Sequence, residues 1–243
     1  MLEDYVVIDL EMTGLRVKTD VILEVGAVRV RQCRAADTFS ALLRTENPIP
    51  GEVSSLTGIT GEMAQKGRDP EEAMADFFAF LGDDPLVGQN IIFDYSFLKQ
   101  WSVNHDFIFE RNAVDTLKIA RHFLEEGQKK DLESLCAHFS IDRKHAHRAL
   151  DDALATWRLF ECLKAAYGKT EEALFTPRPL YCKVKKQMPV TPRQLAYLKK
   201  YAQYYGIELP PHPERMMRSD ASRLTDRLIV QYGRLPKEKS GAG

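Results

Sequence analysis

The most constraining feature of this chain is an apolar, β-branched run that ends in acid: Val6-Val7-Ile8-Asp9-Leu10-Glu11. Such a run reads as a buried strand, and strand side chains alternate faces, so Asp9 and Glu11 point the same way. Two further acids sit in comparably apolar sequence. Asp94 closes Gln89-Asn90-Ile91-Ile92-Phe93-Asp94, and Asp152 ends His147-Arg148-Ala149-Leu150-Asp151-Asp152. A carboxylate beside core sequence is costly unless it is partnered, and several in one place repel one another. Gathered together, these four would need cations, and carboxylate donors select hard ions such as Mg²⁺ or Mn²⁺. Taken singly, each has an ordinary reading as a turn, a helix cap or a solvated side chain. Their joint order is what points to a shared site.

The surrounding pattern is α/β. Strands are predicted over 5–11, 21–31 and 38–43, close enough in sequence to form an antiparallel meander. Asp69-Pro70-Glu71-Glu72 supplies a cap, a proline at the first helical position and acids in the first turn, and Gly82 ends that helix. A short strand at Leu86-Val87 follows, with helices from about Asp94 and over 116–124, 131–138 and 149–166. Strands first, then strand and helix in alternation, predict one mixed sheet covered by helices. On a continuous helix, residues five apart are about 140° out of phase, so His147 and Asp152 could not face one site. The spacing therefore predicts that His147 lies on a loop ahead of a helix that starts near Arg148 or Ala149.

The three motifs, Ile8-Asp9-Leu10-Glu11-Met12-Thr13-Gly14-Leu15, Asn90-Ile91-Ile92-Phe93-Asp94-Tyr95-Ser96-Phe97-Leu98 and His147 with Asp152, stand in an informative order. Together they resemble the DEDD superfamily of 3′-5′ exonucleases, in its His-containing, DnaQ-like subclass, which includes the proofreading epsilon subunit of DNA polymerase III. Thr57-Gly58-Ile59-Thr60 and Asp115-Thr116-Leu117 are secondary matches, and Gln89 stands where many members have His. The resemblance covers roughly residues 4 to 165. It implies an RNase H-like mixed β-sheet flanked by helices. It assigns Asp9, Glu11 and Asp152 to one metal ion, gives Asp9 and Asp94 to a second, and makes His147 the general base. It places the terminal nucleotide against Thr13, Gly14, Leu15, Leu56, Ile59 and Asn90. The implied cofactors are two Mg²⁺ or Mn²⁺ ions, and the implied products are nucleoside 5′-monophosphates released from single-stranded or frayed DNA 3′ ends. Two alternatives stay open: an exoribonuclease trimming RNA ends, and an inactive protein that binds nucleic acid or a replisome. With no polymerase motif in the 243 residues, any proofreading would serve a DNA polymerase in trans.

Charge separates the rest of the chain. Residues 1–168 hold 19 Lys/Arg and 28 Asp/Glu, a net of −9, whereas residues 169–243 hold 15 and 7, a net of +8. The second part also has 8 of the 12 prolines and 6 of the 9 tyrosines. The expected organisation is an exonuclease domain over 1–168, a linker over 169–190, a small basic α-helical module over 191–235 and a disordered tail over 236–243. In the module, Thr191-Pro192-Arg193-Gln194 forms a capping box with Gly206 as the stop, and a second helix is predicted from Ser219 to Gly233. Such a charge asymmetry suits a module that grips phosphate, or one that docks on the acidic catalytic domain or on a partner protein. No run of 18 apolar residues suggests a membrane span, and the acidic start does not read as a secretory signal. Four scattered cysteines without a C-x-x-C pair suggest neither zinc nor disulfides, and a cytoplasmic setting is expected.

Overall fold

A computed structural model describes residues 1–143 and 146–236, so the expected tail beyond Pro236 lies outside the described residues. The chain forms two compact units, Met1–Val184 and a second that begins at Lys185. Among the described residues of the first unit, six strands make one sheet in the order β3-β2-β1-β4-β5-β6. Strands β1 (Tyr5–Met12), β2 (Ile22–Arg31) and β3 (Arg34–Leu42) form the expected antiparallel meander. Strand β4 (Leu86–Gly88) then joins β1 in parallel, and β5 (Asn112–Asp115) joins β4 in parallel.

The pleat of β1 divides the core. Val6, Ile8 and Leu10 face one hydrophobic cluster with Ala73, Met74, Phe77 and Leu81 of α3 (Pro70–Leu81) and Tyr95 and Leu98 of α4 (Ile92–Asn104). Tyr5 and Val7 face the other cluster, with Ile119 and Ala120 of α5 (Thr116–Phe123), Leu135 of α6 (Leu132–His138) and Leu159, Phe160 and Leu163 of α7 (Ala149–Tyr167). By the same alternation, Asp9 and Glu11 belong to the α7 face. Two short helices, α1 (Gly51–Thr57) and α2 (Gly61–Gln65), precede α3. They escape a periodicity search because seven and five residues are too few to show an amphipathic repeat.

The segment read as a linker differs from expectation. Residues 169–184 belong to the first unit, where Phe175 and Leu180 are buried and β6 (Arg178–Pro179) pairs antiparallel with β5. Its prolines end an edge strand instead of marking free chain. The second unit contains α8 (Pro192–Tyr205) and α9 (Arg218–Tyr232), and Thr191 and Gln194 form the expected capping box. Among the described residues no helix is long and apolar enough to cross a membrane.

Candidate active site

Two local choices bring α7 onto the acid-bearing strand. Asp9 pairs across the sheet with Gly26, and Glu11 pairs with Glu24. A Cβ on Gly26 would lie 2.2 Å from the carbonyl carbon of Ala149, so only glycine lets the first turn of α7 rest directly on β2. Glu24 is buried and holds that turn in place: it accepts the Ala149 N–H (3.1 Å) and both arms of the Arg148 guanidinium (3.0 and 2.7 Å). An acid at a helix N-terminus satisfies an otherwise orphaned N–H and favours the helix dipole. Asp152, one turn further along α7, is thereby set over β1 and is itself buried.

His147 lies ahead of α7 with φ 62°, in the left-handed region, and its backbone N–H donates to Asp152 Oδ2 (3.2 Å). Glu11, His147 and Asp152 each present a ligand atom, and these atoms all fall within 4.8 Å of one another. Arg143 also enters this cluster. Its Nε and one terminal nitrogen donate to the two carboxylate oxygens of Asp152 at 2.8 and 2.5 Å. Both side chains are nearly buried, at 9% exposure for Arg143 and 7% for Asp152.

Asp94 comes from the first turn of α4, is buried, and accepts the Leu10 N–H at 3.1 Å, which ties α4 to β1. Asn90, with φ 59°, is held in its left-handed turn by Asp115, whose Oδ1 accepts both the Asn90 and the Leu117 N–H at 3.0 Å. Asp115 thus caps α5 and shapes the loop after β4 together. A cleft of about 510 Å³ collects Asp9, Glu11, Asp94, His147 and Asp152, with Thr13, Gly14, Leu15, Leu56 and Asn90 along its walls. Thr13 is buried and locks the β1 end, its hydroxyl accepting the Val21 N–H at 3.0 Å. Leu15 and Leu56 are 76% and 57% exposed at the rim. Ile59 does not line the cleft. Its side chain is fully buried, because the hydroxyl of Thr57, at the end of α1, accepts the Ile59 N–H and turns the chain inward.

The gathered acids resist ionisation. Burial, then the charges of Asp94, Asp152 and Glu11, push Asp9 well above the usual carboxylate range, and Arg143 opposes that shift. Burial followed by Asp152 and Glu24 raises Glu11 to about 7. Burial raises Asp94 to about 8 even though the Leu10 N–H favours its ionised form. Such values mark a site that lacks positive charge for its number of carboxylates.

Sequence reasoning singled out the acids and His147 but not Arg143, Glu24, Arg148 or Gly26. Glu24 carried the same signal as Asp9, an acid inside the apolar run Ile22-Leu23-Glu24-Val25. Gly26 and Arg143 carried none, since their roles exist only once α7 packs on the sheet.

A mixed sheet of this order, with a carboxylate cluster over its β1 strand, is the RNase H-like exonuclease fold. The profile of the Exonuclease family RNase_T matches residues 6–160, and the chain belongs to that family of nucleases. It is 33% identical over 172 residues to "DNA polymerase III PolC-type" of Clostridium perfringens and 36% identical over 173 residues to the protein of that name in Bacillus subtilis. The matches cover 71% and 69% of this chain, but only 12% of each polymerase. Among solved structures, "Exonuclease X in complex with 5' overhanging duplex DNA" superposes with a TM-score of 0.56 at 23% identity, covering 70% of this chain and 96% of that one. E. coli Exonuclease I in complex with a dT13 oligonucleotide gives 0.59 at 21% identity, covering 72% and 44%.

Proposed function

We propose that the chain is a divalent-metal-dependent 3′-5′ exonuclease that releases nucleoside 5′-monophosphates from single-stranded or frayed DNA 3′ ends. The observation that carries this reading is the convergence of Asp9, Glu11, Asp94, His147 and Asp152 from β1, α4 and the α7 entry on one cleft. The donor set fits two Mg²⁺ or Mn²⁺ ions: oxygen donors dominate, and burial among like charges raises the proton affinity of Asp9, Glu11 and Asp94, a repulsion that bound cations would relieve. Asp9, Glu11 and Asp152 would hold one ion, and Asp9 with Asp94 the other. Such a pair supplies charge stabilisation to the attacking and leaving oxygens of an in-line phosphoryl displacement.

The chain's own residues supply the remaining functions. His147 takes the proton of the attacking water, its imidazole presenting a nitrogen within 4.8 Å of a carboxylate oxygen of Glu11 and of Asp152. The water oxygen bonds to phosphorus, the P–O3′ bond breaks, and the leaving 3′ oxygen is protonated to give a shortened strand and a nucleoside 5′-monophosphate. Leu15 and Leu56 offer apolar surface to the terminal base at the rim, and the backbone of Thr13, Gly14 and Asn90 faces the nucleotide from the walls. The polymerase relatives, in which the matched region is about 12% of the polymerase chain, support a 3′ end left by a DNA polymerase.

The test compares 5′-labelled single-stranded DNA, single-stranded RNA and mismatched duplex DNA under Mg²⁺ with Asp9→Ala as control. A ladder of 5′-labelled DNA products that shortens from the 3′ end and vanishes in Asp9→Ala is the expected result. Full activity in Asp9→Ala would sink the metal assignment, and faster digestion of RNA would replace the DNA reading with the RNA one.

A further inference from the structure

The second unit has its own interior, and that interior leaves one face of α8 unexplained. Leu198, Tyr201 and Ala221 are buried, the Tyr201 hydroxyl bonds the Leu228 carbonyl at 2.9 Å, and the Gln194 amide reaches Arg218 O and Ser222 Oγ across to α9. These contacts account for the inward side of α8. On another face, Arg193, Tyr197, Lys200 and Tyr204 follow one another at spacings of four, three and four residues, which places them in one row along the helix. Arg193 and Lys200 are exposed and Tyr204 is 59% exposed. A groove of about 460 Å³ runs beside the row, with Tyr197 on one wall and Ser222, Thr225 and Asp226 of α9 on the other.

We infer that this row is a binding surface for single-stranded nucleic acid, separate from the cleft of the first unit. Cation and ring alternate along it, and each kind recurs about every 10 Å of helix. That alternation suits a strand in which phosphates and bases alternate too. The rings are braced from behind, Tyr197 against Tyr201 at 6.0 Å and Tyr204 against Tyr205 at 4.8 Å between centroids, so little side-chain freedom remains to be lost on stacking. Charge complementarity favours a polyanion, since residues 185–243 hold 12 Lys/Arg against 5 Asp/Glu. The groove is lined by Arg193, Tyr197 and Lys200 with Ala196, Ser222, Thr225 and the one acid Asp226, and among the described residues it lacks the Leu, Ile, Val and Met side chains that seat the apolar face of a protein helix. Stacking on tyrosine is sequence-tolerant, so the surface would hold any strand whose end is to be trimmed.

The test uses the full chain in EDTA, where digestion cannot occur, with fluorescein-labelled dT20 followed by anisotropy across a salt series. The paired substitution Arg193→Ser with Lys200→Ser should weaken binding about tenfold or more, and lower the salt slope by about 1.4, the value for two lost phosphate contacts on a single strand. Tyr204→Ala should weaken binding roughly tenfold with the slope kept, because stacking releases no counterions. The charge-conserving pair Arg193→Lys with Lys200→Arg should restore the wild-type slope. Unchanged affinity in the neutral pair overturns the proposal, as does equal loss in the neutral and charge-conserving pairs. Equally tight binding of a fluorescein-labelled 20-residue polyglutamate overturns it in favour of an acidic protein partner. Mn²⁺-dependent hydrolysis of the p-nitrophenyl ester of thymidine 5′-monophosphate, which is a single nucleotide and not a strand, should be unaffected in every variant. If the wild-type chain fails to hydrolyse that ester, the nuclease reading is at fault, and the dT20 series still judges the second unit alone.

Discussion

Replacing Arg143 should destabilise the metal-free protein and leave the metal-loaded protein nearly untouched. In the structure both carboxylate oxygens of Asp152 are taken by the Arg143 guanidinium, at 2.8 and 2.5 Å, and neither side chain is more than 9% exposed. Removing one member of such a pair leaves a buried charge uncompensated, at a cost of about 3–5 kcal/mol. Here the orphaned carboxylate would also face Asp9 and Glu11, which Asp152 already pushes toward the protonated state. For a protein of this size about 2–4 °C accompany each kcal/mol, so Arg143→Met should melt roughly 6–20 °C below wild type in EDTA at pH 8. Saturating Mn²⁺ takes over the same oxygens, so the gap should shrink to a few degrees. The thermodynamic cycle then requires Arg143→Met to bind Mn²⁺ more tightly, by up to roughly 10²- to 10³-fold, because it no longer has to displace a guanidinium. The gain should be smaller at pH 6, where a proton on Glu11 relieves part of the repulsion. Differential scanning fluorimetry across an Mn²⁺ titration measures both quantities. An equal loss of stability with and without Mn²⁺ would show that Arg143 acts by packing alone, and the reasoning would be refuted.

The carboxylate cluster predicts an unusual pH dependence without metal. Glu11 and Asp94 are raised in the folded protein to about 7 and about 8, so the folded state binds more protons than the unfolded state between roughly pH 4 and 8. Stability in EDTA should therefore fall as pH rises through that window, Asp94→Asn should flatten the fall, and a melting temperature that rises from pH 5 to 8 would contradict the raised values. His147→Ala should lower kcat on the order of 10²- to 10⁴-fold in single-turnover digestion of labelled oligonucleotide, and a loss confined to KM would remove the general-base role. Gly26→Ala would put a Cβ 2.2 Å from the Ala149 carbonyl carbon, forcing α7 away from β2. A cost of about 1–3 kcal/mol with weakened Mn²⁺ binding is expected, and a normal melt with normal binding would show that α7 is not held there. Glu24→Gln should lose the paired Arg148 contact and loosen the α7 entry, read as faster proteolysis near Arg148 together with a lower melting temperature.

What could be read in advance divides by the range over which each residue acts. The acids were legible because burial of a carboxylate conflicts with local sequence, and that conflict can be seen within a window of six residues around Asp9 or Asp94. His147 was legible because a helix cannot place residues five apart on one face, and its left-handed φ of 62° shows the chain leaving helical geometry there. The antiparallel meander followed from the short connections between the first three strands, and the mixed sheet from the alternation of strand and helix after them, whereas the order β3-β2-β1-β4-β5-β6 is seen only in the fold. The first-unit stretch 169–184 was misread for the converse reason: its prolines and charges signal a linker locally, and only the pairing of β6 with β5 makes it part of the sheet. Arg143, Glu24 and Gly26 were illegible or overlooked because each acts on a partner brought near by the packing of α7: Asp152, Arg148 and Ala149. Those three contacts have one consequence in common, the placement of Asp152. The acids read from the sequence are therefore a potential site only, and the supporting residues decide whether the fourth carboxylate joins the other three. A chain with the same motifs but a larger residue at position 26 would read identically by motif, yet it would lack the close approach of α7 that brings Asp152 to Asp9 and Glu11.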